Sequence, residues 1–344
     1  MDIAELLHFT VQIKASDMHL SAGLPPIFRI DGDMCRFDFP VIENAELLTL
    51  LHSVMNDTQQ NDYKTKLEID FSFEIAGLAR FRVNVFMQER GAAAVFRVIP
   101  SVILSMDTLN LPPILNKVAS FSHGLVLVTG PTGSGKSTTL AALIDFINKT
   151  RAQHIITIED PIEFVHHSNK SLINQREVFR DTHSFAAALR SALREDPDVI
   201  LVGELRDLET IRLAMTAAET GQLVFATLHT NSAAKTISRI IDVFPGDEKS
   251  MIRSMLAGSL QSVIAQTLLK RQGKGRVIAL EIMLCNAAIR NLIREDKIPQ
   301  MYSVIQTGMN AGMQTLDQHL IKLVKENIIN PEAAREVAID KDAF

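Results

Sequence analysis

The residues Gly130, Pro131, Thr132, Gly133, Ser134, Gly135, Lys136 and Ser137 put three glycines, an ammonium and a hydroxyl at a spacing suited to a chain of phosphates. They follow an apolar run at 125–129, read as a buried strand, and lead through Thr138 into residues 138–147, read as an amphipathic helix. Glycine lets the backbone curl until several N–H groups point into one hollow, and a helix N-terminus adds about half a positive charge there. In such a loop Lys136 neutralises the β- and γ-phosphates and Ser137 ligates Mg²⁺. With Gly near ~7% of residues, this spacing arises by accident in roughly one chain in a hundred of this length. The flanking strand and helix lower that further. Residues 130–138 therefore read as a nucleoside-triphosphate site, with ATP and Mg²⁺ as the expected ligands.

Two more apolar runs end in groups that suit the same chemistry. Residues 199–202 lead into Gly203 and Glu204, which puts a carboxylate at the C-terminal edge of a sheet, where Mg²⁺ could be held beside Ser137. A glutamate in that turn can equally cap the next helix. Upstream, Glu159, Asp160 and Glu163 crowd three carboxylates around Pro161. Their repulsion calls for a cation opposite, and Lys136 with nucleotide-bound Mg²⁺ supplies one. Glu163 is the choice for the base that orients and deprotonates the attacking water, against a solvated acidic turn as the alternative. His229 follows the run at 223–227, where a neutral imidazole can donate to a phosphate oxygen and sense its loss. A structural histidine is the competing reading.

Three arginines complete the set. Along residues 80–85 polar and apolar residues alternate, so Arg80, Arg82 and Asn84 share one strand face and Phe81, Val83 and Val85 the other. Arg97 adds a cation in the next strand. They are either a solvated face or arginine fingers, which reach phosphate only through domain closure or from a neighbouring subunit.

The elements that must position these groups fall into two parts. Residues 1–99 read as a small α+β domain: helices near 3–14, 43–55 and 59–66, strands near 18–20, 27–30, 70–75, 80–88 and 93–99, and a tight turn at Asp31-Gly32-Asp33. Residues 100–113, with three prolines, read as a linker. From 114 to 344 strands at 125–129, 155–158, 199–202 and 223–227 alternate with helices, among them 185–195 and 207–219, which argues for a mostly parallel sheet. Beyond Pro245 the chain reads as mainly helical, at 247–269, 287–295, 300–307 and 314–326, broken by one strand at 276–283.

Bulk composition narrows the class. The 344 residues are 47% hydrophobic and 22% charged, as in an ordinary soluble globular protein. A net charge of −5, no Trp and only two Tyr give no basic-aromatic groove for nucleic acid. Cys35 and Cys285 stand far apart, which excludes a four-cysteine metal site and a disulfide framework and fits a reducing compartment. No basic leader and no run of about 18 apolar residues is present, so any membrane role is expected through a partner.

Taken together these segments resemble the secretion-type hexameric ATPases of bacteria, most closely the type IV pilus retraction (PilT) family. Residues 130–138 resemble its Walker A loop, 158–164 its Asp box, 201–207 its Walker B segment and 224–232 its His box. Residues 288–295 are similar to a C-terminal motif linked to retraction, and 81–84 to a segment that supplies arginines. Asn231 and Ala226 depart from the usual His-box pattern without removing a reactive group. The resemblance implies a PAS-like N-terminal domain, a RecA-like P-loop ATPase domain and a homohexamer with nucleotide at its subunit contacts. It carries over Lys136, Ser137, Glu163, Glu204 and His229 in the roles above. It also implies a cytoplasmic motor for twitching motility at the inner face of the inner membrane, pulling through a PilC-like platform protein at the pilus base, and a possible accessory retraction ATPase as a further partner. An accessory paralogue is one alternative. A pilus-assembly or type II secretion ATPase is another, weakened by the missing four-cysteine insertion. On its own pattern, 288–295 has an apolar stripe of Ala288, Ile289, Leu292 and Ile293, with Arg290, Arg294 and Glu295 projecting elsewhere. Residues 339–344 match nothing and receive no role.

Overall fold

Alternation writes the first sheet. Along Ala79–Gln88 the side chains of Phe81, Val83 and Val85 are fully buried, whereas Arg80, Arg82 and Asn84 lie on the other face. The computed structural model describes residues 2–99 and 102–344. Its chain divides into two units, Met1–Val102 and Ile103–Phe344.

In the first unit, strands β1 (Asp17–Ser21), β2 (Ile27–Ile30), β3 (Asp33–Arg36), β4 (Glu68–Ile75), β5 (Ala79–Gln88) and β6 (Gly91–Ile99) form an antiparallel sheet in the order β3-β2-β1-β6-β5-β4. Asp31 and Gly32, both at positive φ, close the β2–β3 hairpin as a two-residue turn whose twist matches the strands. Helices α1 (Ile3–Gln12), α2 (Asn44–His52) and α3 (Asp57–Lys66) lay Leu6, Leu7, Leu47, Leu51 and Tyr63 into one core with Phe28, Phe81 and Phe96. This is the α+β arrangement expected of a PAS-like domain. Cys35 lies on edge strand β3, partly exposed and unpaired.

Of the expected linker, residues 100 and 101 lie outside the described residues. From Ile103 the chain belongs to the second unit, where Met106 and Leu111 are buried in its core beside the short helix α4 (Ile114–Val118). The sheet of this unit runs β13-β12-β7-β11-β10-β8-β9, built from β7 (Gly124–Thr129), β8 (His154–Glu159), β9 (Leu172–Glu177), β10 (Val199–Val202), β11 (Leu223–Leu228), β12 (Leu260–Lys270) and β13 (Arg276–Leu284). All neighbours are parallel except the β12–β13 pair. Strands β7, β10 and β11 are buried along their whole length, hence the unbroken apolar runs. Around the sheet lie α5 (Lys136–Thr150), α6 (Phe185–Ala192), α7 (Leu208–Glu219), α8 (Ala233–Asp242), α9 (Lys249–Ser259), α10 (Ala287–Arg294), α11 (Met301–Thr307), α12 (Leu316–Lys325) and α13 (Pro331–Val337).

Two sequence expectations need correction. The helix expected over 247–269 stops at Ser259, and Leu260–Lys270 is a strand beside β7. Its partner is remote in sequence, so a local pattern could not reveal the pairing. Strand β9 was not expected at all. Arg290, off the buried stripe of Ile289 and Ile293, reaches from α10 to donate to the carbonyls of Ala257 and Gly258, the latter at 2.8 Å, and caps the last turn of α9. Asp317, near the start of α12, accepts the N–H groups of Ile339 and Asp340, both at 2.9 Å. No helix among the described residues is long and apolar enough to cross a membrane.

Candidate active site

Strands β7, β11, β10 and β8 are neighbours and parallel, so the loops leaving them open at one sheet edge. The four sequence motifs leave from those strands.

After β7 the loop Gly130–Gly135 turns into α5. Gly130, Gly133 and Gly135 all have positive φ. At Gly130 a Cβ would stand 2.2 Å from the carbonyl oxygen of Gln266, so only glycine fits against β12. Gln266, buried on β12, donates Nε2 to the carbonyl of Ser134 at 2.7 Å and braces the loop from below. Ser134 Oγ is buried without a hydrogen-bond partner, whereas Pro131, Thr132 and Gly133 face outward. Lys136, Ser137 and Thr138 form the first turn of α5, partly exposed. Glycine-shaped backbone, free helix N–H groups and an ammonium thus fit a polyphosphate.

Lys136 Nζ donates to the carbonyls of Gly130 at 2.8 Å and Pro131 at 3.1 Å, and stands 3.5 Å from His229 Nδ1. Burial lowers its pKa, and the nearby Glu204 and Glu163 carboxylates oppose that shift. His229 Nε2 lies 3.1 Å from Glu204 Oε1. A ring protonated at Nε2 satisfies both neighbours, donating to Glu204 and accepting from Lys136. The other oxygen of Glu204 accepts from Arg206 Nε at 2.7 Å, and Arg206 also lies 3.9 Å from Asp160. Glu204 does not cap α7. That place is taken by Asp207, which accepts from Thr210 N–H at 2.8 Å.

Glu163 sits partly buried in the loop after β8, and its charge is felt at both Lys136 and Glu159. Glu159 ends β8 and receives the Thr157 hydroxyl at 2.6 Å and Gln175 Nε2 at 3.2 Å. Burial pushes its pKa up to about 7 despite those hydrogen bonds. Lys136, Ser137, Glu163, Glu204 and His229 are therefore set around one sheet edge.

The arginines belong to the first unit. Arg82 and Arg97 are paired directly across β5 and β6. Arg82 grips Asp70 with Nε and Nη2, the shorter contact 2.6 Å, and Arg97 Nε meets the buried Asp17 at 2.8 Å. Arg80 donates to Ser72 Oγ at 2.8 Å. Two like charges can face each other because each has its own carboxylate. The sequence reading missed Arg206, Gln175 and Gln266. For Gln266 a signal existed: a polar side chain inside an apolar run must find a buried partner.

Comparison with known proteins gives a coherent result. Residues 2–335 match the Type II/IV secretion system protein family. The chain is 63% identical over 338 residues to the type IV pilus retraction ATPase PilT of Pseudomonas aeruginosa, covering 98% of each. It is 60% identical over 335 residues to a twitching motility protein of Neisseria gonorrhoeae, covering 97% of this chain and 89% of that one. A crystal structure of the pilus retraction motor PilT with bound ADP matches with a TM-score of 0.89 at 49% identity, over 100% of this chain and 99% of that one. Its architecture, an N-terminal domain followed by a RecA-like ATPase domain, is the one described above. With the glycine loop, the strand-end carboxylate and histidine, and this kinship along nearly the whole length, the chain belongs to the Type II/IV secretion system protein family.

Proposed function

We propose that this chain is an ATP-hydrolysing motor that powers type IV pilus retraction and so twitching motility. One observation carries the catalytic part: Lys136, His229 and Glu204, from three neighbouring strand ends, form an unbroken set of contacts beside a glycine cradle. The pilus role rests on the kinship with retraction ATPases over 98% of the chain.

In this reading the glycine loop binds the ATP phosphates through backbone N–H groups, and Lys136 exchanges its loop carbonyls for phosphate oxygens. Ser137 and Glu204 would hold Mg²⁺, a metal that offsets charge on phosphate oxygens. A hydroxyl and a carboxylate suit such a hard cation, and no cluster of three or more His, Cys, Asp or Glu among the described residues could hold one alone. Glu163 takes the proton of the attacking water, so that ATP and water give ADP, phosphate and a proton. His229, placed between Lys136 and Glu204, links loss of the terminal phosphate to the end of β11. Arg80, Arg82 and Arg97 are assigned to phosphate across a subunit contact in a homohexamer. Hydrolysis then rotates N-terminal domains against neighbouring ATPase domains, pulling on an inner-membrane platform protein from the cytoplasmic side.

Two measurements test this. Lys136→Ala should abolish ATP turnover while melting temperature and oligomeric state are kept; undiminished turnover removes the loop from catalysis. Deleting the gene should leave cells with excess, immobile pili. Bald cells would instead assign the motor to assembly.

A further inference from the structure

Between β8 and β9 the loop that carries Glu163 has no regular secondary structure of its own. Backbone groups of Ile162, Phe164 and His166 nevertheless tie it to side chains of β9. Gln175, level with Thr157 in the parallel register, uses both ends of its amide. Oε1 accepts the N–H of His166 at 2.7 Å, and Nε2 donates to the carbonyl of Phe164 at 2.9 Å. The same Nε2 reaches Glu159 Oε1 at 3.2 Å. That carboxylate, held also by Thr157, faces the backbone N–H of Glu163. Two residues along the same face of β9, Glu177 accepts the N–H of Ile162 at 3.0 Å. The anchored groups therefore belong to Ile162, Phe164 and His166, which bracket Glu163 on both sides.

We propose that Gln175 is a positioning residue for hydrolysis, its amide clamping the loop so that the Glu163 carboxylate is held at its working distance. The inference rests on the reading of Glu163 as the base. A base must lie within hydrogen-bond reach of its water, and a misplacement of about 1 Å can cost about 10²-fold in rate. Gln175 touches neither nucleotide nor water in this scheme and acts only through the backbone on either side of Glu163.

The test is a double-mutant cycle in the full-length protein, with single-turnover hydrolysis and ADP-binding stoichiometry measured for each variant. Gln175→Met keeps about the same volume and removes the side-chain amide's hydrogen bonds to Phe164, His166 and Glu159. It should lower kcat roughly 10- to 100-fold, with KM for ATP and the number of ADP sites per chain unchanged within about twofold. In a Glu163→Gln background the same substitution should slow the residual rate by less than about twofold, because the clamp then has no base to place. Gln175→Glu retains the acceptor for His166 but loses the donor to Phe164 and sets a second carboxylate against Glu159. It should lose at least as much, and it serves as the measurement if the Met variant does not fold. Normal kcat in both Gln175 variants, with Glu163→Gln inactive, would overturn the clamp alone. So would losses that multiply in the double variant, or a fall in ADP sites matching the fall in rate. Near-normal hydrolysis by Glu163→Gln would overturn the base assignment, and the clamp with it.

Discussion

Gly130 and Gly133 both have positive φ in the same loop, yet they face different surroundings. A Cβ at Gly130 would meet the Gln266 carbonyl and Ser134 Oγ, at 2.2 and 2.6 Å, whereas at Gly133 nothing lies within 4 Å. Gly130→Ala should therefore displace the loop from β12, costing about 1–3 kcal/mol of stability and most of the nucleotide affinity. Gly133→Ala carries only backbone strain of about 1–2 kcal/mol. Calorimetric ADP titration and thermal melts of the two variants check this, and equal affinities would show that Gln266 does not shape the cradle. Local spacing made the glycines, Lys136, Glu204 and His229 readable, because strand, turn and reactive group are contiguous there. Gln266 was not readable as a brace, since its partner Ser134 is 132 residues away. Gln175 was hidden too, because it acts through backbone groups that no side-chain pattern advertises.

At the level of elements, the strands buried on both faces were legible from their apolar runs, whereas β9 and β12 were not. β9 is an edge strand, Leu172–Glu177, with mixed polarity, and its role is to receive the loop after β8. β12 follows a helix directly and owes its extended state to β7. Helix α12 shows how an element is fastened: His319 Nδ1 accepts the N–H of Leu280 on β13 at 2.9 Å, which requires a ring without a proton on that atom. Burial, with the charge of Lys322 adding to it, lowers the pKa of His319 to about 4. The unfolded chain takes up this proton near pH 6.5, and the folded one refuses it until about pH 4. This contribution is complete above pH 6.5 and is lost as the pH falls toward 4, by on the order of 3 kcal/mol over the window. His319→Gln keeps an acceptor for Leu280 and cannot titrate. Urea midpoints at neutral and acid pH should differ less in this variant than in the parent, and an unchanged difference would exclude His319 as a source.

For the whole molecule, the proposed ring makes a prediction about shared sites. Arg82→Ala subunits and Lys136→Ala subunits should each be inactive alone. Mixed together, they should recover part of the ATP turnover if the arginine serves a neighbour's nucleotide. Absence of recovery at every mixing ratio would count against Arg82 acting on a neighbour's nucleotide. Sequence could not decide this, because alternation along β5 describes a solvated face and a phosphate-reaching face equally well.

The two thiols differ in a way that can be put to use. Burial pushes Cys285 up to about 11, while Cys35 lies partly open on the outermost strand of the N-terminal unit. A maleimide dye added to the native sequence near neutral pH should therefore mark that unit once per subunit. Fluorescence anisotropy or energy transfer during turnover could then follow its motion with no engineered cysteine.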